Sequence, residues 1–322
     1  MPQRPAKSHR ATPHPAASFA AVALAALTTF ASPPYTTASD WPLETSLPQS
    51  GGVIDIVSPH PLPISPDELT AWVQRAATAL THFYGRYPVK SVTIHFLPSG
   101  AAAVGGGVEH NGDRIDIRLG PRTNHDELVA DWMLTHEMFH LSQPQLARGY
   151  SWMSEGMADY LEPVARVRIG QITEQRFWGD LVEGMPNGLP EPGDRGLDHT
   201  HTWGRTYWGG SLFWLLADIR VRQQTHNSKG VRDAARAVLD AGGDGSREWT
   251  IEQLVAAYDK GIGVKGVTVF TDLHDEMGAK AVNTDLDALW KSLGVVYTDG
   301  KTTFDDTAPL AEIRKGITER EK

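Results

Sequence analysis

The chain has 322 residues, 40% of them hydrophobic and 21% charged, which suits one large folded domain or two of ordinary size and lacks the bias of a disordered protein. A formal net charge of -9 with no dense Lys/Arg cluster excludes the electrostatic footprint of a nucleic-acid binder. With no cysteine, a disulfide framework, a cysteine nucleophile and a thiolate-ligated metal are all excluded, so any bound metal must rest on His and carboxylate.

Residues 1–31 begin with Arg4, Lys7 and Arg10 and continue into an Ala-rich apolar run that ends before Ser32-Pro33-Pro34. That layout predicts a secretory signal peptide, with an uncleaved N-terminal anchor as the alternative, and hence a secreted or periplasmic protein without a stable membrane span in its mature form. Residues 32–52, rich in Pro, Ser and Thr, read as a linker. The next segment, 53–168, alternates between strand and helix. Val53 to Val57 is a short strand, and Ser65-Pro66-Asp67-Glu68 is a helix start with a capping box, opening a helix to about Tyr84. Val92, Ile94 and Phe96 form one apolar strand face, and Ile115, Ile117 and Leu119 form another. Between them three consecutive glycines, Gly105 to Gly107, precede Glu109 and His110, which reads either as a flexible hairpin or as a bend presenting those two side chains. Asn124 with Glu127 opens the next helix, with Val129, Trp132, Met133, His136 and His140 on one stripe.

A further helix starts near Ser151, and Pro163 is expected to bend or end it. Residues 169–322 look mainly helical, with segments near 173–185, 203–224, 229–239, 250–258, 267–277 and 284–293 and a terminal hairpin around Asp299-Gly300.

The chemistry concentrates at His136-Glu137-Met138-Phe139-His140. Four residues along a helix turn a side chain by about 40° and advance it roughly 6 Å, so His136 and His140 leave the same face and can bind one zinc ion. Glu137 is offset from them, as suits a carboxylate that hydrogen-bonds a metal-bound water and is not itself a ligand. A catalytic zinc commonly has three protein ligands, and Glu155, at the start of the following helix, is the best third. Asp159, four residues on, lies on the same face and can accept the free N–H of a ligating histidine.

These residues, with Trp152-Met153-Ser154-Glu155-Gly156-Met157-Ala158-Asp159-Tyr160, resemble the gluzincin zinc site, HExxH followed by W-x-x-E-G-x-x-x-Y. Within that clan the chain is similar to the glycyl aminopeptidase family in three places. These are Gly106-Gly107-Val108-Glu109-His110, Tyr207-Trp208-Gly209-Gly210, and the stretch from Leu293-Gly294 to Arg314. The resemblance implies an α+β, zincin-like catalytic unit: a small mixed β-sheet with the zinc-site helices and a mainly helical C-terminal half. It implies one Zn²⁺ held by His136, His140 and Glu155, with Glu137 as general base and Tyr207 as oxyanion donor. Glu109 and Gly107 would meet the substrate. The implied activity is aminopeptidase-type hydrolysis of a peptide or protein, with an endopeptidase or a non-catalytic zinc-binding scaffold as alternatives. His199 and His201 are weaker candidates for the rim of the cleft. One departure is local: 14 residues separate His140 from Glu155, fewer than expected for that family.

Overall fold

A computed structural model describes residues 42–320, so the expected signal peptide lies outside them. Strands β1 (Leu43–Gln49) and β2 (Gly52–Ser58) pair antiparallel at one edge of a five-stranded sheet. Residues 43–49 therefore belong to the fold and not to a linker. Their Ser, Thr and Pro content resembles a linker because an edge strand tolerates Pro48, whose missing N–H costs no ladder bond there.

Helix α1 (Pro66–Tyr84) starts at the expected capping box and stops at Gly85, whose φ of 82° is the left-handed conformation that ends helices. It carries the chain across to β3 (Ser91–Pro98), parallel to β2, and β3 in turn pairs parallel with β5 (Arg114–Leu119). The alternation read from these strands holds: Val92, Ile94, Phe96, Ile115, Ile117 and Leu119 are all buried. The glycine-rich stretch is a strand, β4 (Val104–His110), antiparallel to β5 at the second edge, and Asn111 and Gly112 turn the hairpin with positive φ. The strand order is β1-β2-β3-β5-β4.

The next helix is not continuous. Asn124 caps α2 (His125–Ala130) as expected, but the chain then extends at Asp131 before α3 (Met133–His140) begins. The Asp131 carboxylate accepts the Leu134 N–H at 3.1 Å, so it offers the backbone a start signal in the middle of the predicted helix. The break also turns Val129 and Trp132 outward, and both are exposed although the helical stripe had placed them with the apolar residues.

Helix α4 (Ser151–Arg168) runs through Pro163 without ending. Helix α5 (Glu174–Gly184) follows, and the π-helical turn Arg205–Gly209 leads into α6 (Gly210–Gln224). The helical half continues with α7 (Val231–Asp240), α8 (Ile251–Ile262), α9 (Val269–Met277) and α10 (Leu286–Leu293). The hairpin of β6 (Val295–Thr298) and β7 (Lys301–Phe304) is present, and an unanticipated helix, α11 (Ala311–Thr318), closes the chain. The buried Arg314 ties α11 to the end of α10 by donating to the carbonyls of Leu293 and Gly294 at 3.0 and 3.1 Å.

The described residues pack as one unit, and the two expected segments share a core in which α4 touches α1, α3, α5, α6 and α11. Among the described residues no helix is long and apolar enough to cross a membrane.

Candidate metal centre

Helix α3 brings His136 and His140 together at adjacent turns, and the first turns of α4 place Glu155 against them. The three donor atoms form a nearly equilateral triangle. His136 Nε2 lies 3.3 Å from Glu155 Oε2 and 3.3 Å from His140 Nε2, and His140 Nε2 lies 3.5 Å from Glu155 Oε2. Ligands bound tetrahedrally at about 2.0–2.1 Å are separated by about 3.3–3.4 Å, so this triangle has the dimensions of three zinc ligands. Two imidazoles and a carboxylate are also a donor set that zinc accepts. It is the one such group of three or more among the described residues.

The electrostatics suit a cation. Burial disfavours a charged His136, but the carboxylates of Asp159 and Glu155 outweigh it and lift the pKa to about 10. Burial likewise disfavours an ionised Glu155, yet contacts with His136 and His140 hold it well below the usual carboxylate range. Asp159 Oδ1 lies 3.1 Å from His136 Nδ1, which leaves Nε2 free to face the other two donors.

Glu137 is buried beside the triangle, and its Oε2 accepts the Glu109 backbone N–H at 2.9 Å. The edge strand β4 thus holds this carboxylate. Gly107 makes the approach possible, because a Cβ there would lie 2.5 Å from Glu137 Cγ and 2.8 Å from its Oε1. The Glu109 side chain accepts from the Gly112 N–H and, at 3.3 Å, from Gln145 Nε2. Burial raises its pKa, while these hydrogen bonds and the nearby His140 oppose the rise.

Tyr207 sits on the π-helical turn with its ring stacked 6.5 Å from His136. Burial, then the charges of Glu155, Asp159 and Glu137, push its hydroxyl up to about 12, so at neutral pH it keeps its proton and can donate. The turn reaches the centre because α4 and α6 touch backbone to backbone: a Cβ on Gly156 would lie 2.2 Å from the Gly210 carbonyl carbon.

His136, His140, Glu155, Asp159, Glu137, Glu109 and Tyr207 all line one cavity of ≈ 1060 Å³. His199 and His201 do not line it; both are exposed. His110 faces away to Asp116, 3.1 Å from its Nε2. Sequence reasoning missed the Gln145 contact to Glu109, for which no local pattern exists. It also missed the exposed indoles of Trp132 and Trp203 at the cavity, and the buried Glu162–Arg166 pair at 2.6 Å farther along α4. The pair was legible as an i, i+4 carboxylate and guanidinium on the face of Glu155 and Asp159.

No protein-family model matches the chain, and no curated protein matches it in sequence. Solved structures do resemble it. An aminopeptidase N family protein from Idiomarina loihiensis superposes with a TM-score of 0.62 at 16% identity, covering 79% of this chain and 49% of that one. An M1 zinc metallopeptidase from Deinococcus radiodurans superposes with a TM-score of 0.50 at 16% identity, over 75% of this chain and 53% of that one. A two-domain M1 zinc metallopeptidase variant bound to L-tryptophan gives 0.50 and 16% over the same shares. The chain thus spans about half the length of these proteins and has an α+β fold of their kind, the fold class that the sequence resemblance implied.

Proposed function

We propose that the protein is a zinc-dependent peptidase of aminopeptidase type. The observation that carries this reading is the triangle of His136, His140 and Glu155 with Glu137 held beside it by β4. The fold shared with M1 zinc metallopeptidases supports it, as does the fact that one of those proteins holds an amino acid.

When bound by these three residues, zinc would supply Lewis acidity that activates water and polarises the scissile carbonyl. The chain's own groups do the rest. Glu137 takes a proton from the attacking water as its oxygen bonds to the carbonyl carbon, and delivers that proton to the amide nitrogen as the C–N bond breaks. Tyr207 donates its O–H to the oxyanion that forms on the carbonyl oxygen. Asp159 fixes the His136 ring through Nδ1. Glu109 offers a carboxylate to the free amine of the substrate, which limits cleavage to the first residue.

A peptide library incubated with the zinc-loaded protein and read by mass spectrometry tests the proposal. The expected products are peptides shortened by one N-terminal residue, with N-acetylated peptides intact. Internal cleavage of acetylated peptides would replace the aminopeptidase with an endopeptidase, and intact peptides throughout would leave a zinc-binding scaffold. Glu109→Gln is expected to slow cleavage of free-amine peptides selectively, whereas an equal effect on any acetylated substrate removes the amine role.

Gly107→Ala gives an independent check. The added methyl group displaces the Glu137 carboxylate, and a displacement near 1 Å costs reactions on the order of 100-fold in rate. Hydrolysis should fall by that order while zinc stoichiometry, measured by atomic absorption, stays at the parent value.

A further inference from the structure

Among the tryptophans of the described residues, Trp72, Trp152, Trp178, Trp214 and Trp290 are buried, Trp208 and Trp249 are half-buried against the core, and only Trp203 and Trp132 are exposed, at 63% and 46%. Both exposed indoles line the cavity that contains the histidines and Glu155. An indole can bury roughly 150–250 Å², so two partly exposed rings lining one cavity form a surface suited to an apolar ligand group.

Ring contacts place them on one flank. Trp132 meets His136 edge-on at 5.4 Å, Tyr207 stacks near the same imidazole, and Trp203 lies 6.2 Å from Tyr207. The series Trp132, His136, Tyr207 and Trp203 therefore borders the His136 side of the donor triangle. Glu109 takes no part in that series: its backbone N–H is held on Glu137 Oε2 at 2.9 Å and its carboxylate accepts from Gln145 Nε2 at 3.3 Å. A substrate with its amine at Glu109 and its scissile carbonyl over the three donors sends its next residue toward the indoles.

Resting on the aminopeptidase reading, we infer that Trp132 and Trp203 select the residue that follows the scissile bond and favour a large apolar or aromatic side chain there. An aromatic side chain at this position can make edge-to-face or offset contacts with either indole, a gain of about tenfold in affinity. Glycine at the same position leaves both rings in water.

Calorimetric titration of the zinc-loaded Glu137→Gln protein decides this without relying on turnover. Ala-Phe-Ala is expected to bind about tenfold more tightly than Ala-Gly-Ala. In the same background, Trp132→Ala with Trp203→Ala should bring the two peptides to equal affinity, and Phe at both positions should restore the difference. The difference between Phe-Gly-Ala and Ala-Gly-Ala should not change. Both rings are exposed, so the melting temperature of the double variant should stay near that of its parent. The inference is overturned if the Phe preference survives the double substitution, if the preference at the first residue is lost in its place, or if no tripeptide binds. Binding with the expected preference by a parent that hydrolyses no peptide would sink the peptidase reading alone.

Discussion

Glu137→Gln is expected to bind zinc as the parent does and to hydrolyse peptides about 10²–10⁴-fold more slowly, the range lost with a general acid–base group. The carboxamide has nearly the same shape, and its oxygen can still accept the Glu109 N–H that now reaches Oε2 at 2.9 Å. The side chain therefore stays in place while its capacity to take a proton disappears. Glu137 is outside the donor triangle, so the metal should be retained. Steady-state rates on a peptide substrate, paired with a zinc titration, separate the two effects. A variant as fast as the parent would remove Glu137 from the mechanism, and one that fails to hold zinc would make it a ligand.

Glu155→Ala and Asp159→Asn are expected to weaken zinc binding to different degrees. Asp159 lies 3.1 Å from His136 Nδ1, and losing a hydrogen-bond partner of a ligating histidine typically costs about 10–100-fold in metal affinity. Glu155 supplies one of the three converging donors, so its removal should cost more than that and leave two imidazoles that cannot complete the site. Competition against a chromogenic chelator measures both constants. The parent should also gain melting temperature as zinc is added, because an ion that binds only the folded state stabilises it, and Glu155→Ala should lose most of that gain. Equal affinities for Glu155→Ala and the parent would exclude Glu155 as a ligand.

Much of the scaffold was legible because its signals are local. The capping box at Ser65 and Glu68, the alternation of Val92, Ile94 and Phe96, and the turn at Asp299-Gly300 each concern residues within one element. The errors have physical causes that local reading misses. Asp131 competes for a backbone N–H and splits a helix that periodicity alone makes continuous. The polar composition of β1 reads as linker, and only pairing with β2 supplies the reason for it to extend. Helix α11 is short, and its local signal is little more than Ile313 and Ile317 one turn apart on its buried face.

The sequence by itself determined the ligand candidates, since a helix must bring His136 and His140 to one face whatever surrounds it. Their shared spacing of four residues also put Glu155 and Asp159 on one face of α4, as candidates to meet those histidines. Only the tertiary structure decided the rest. Glycine at 107 lets an edge strand press against Glu137, and the close crossing at Gly156 and Gly210 brings the turn bearing Tyr207 to the donor triangle. The same folding leaves Trp132 and Trp203 exposed along the cavity and sends His110, His199 and His201 elsewhere. Those outcomes depend on contacts between segments far apart in the chain, and no local propensity encodes which backbone will come within reach of which side chain.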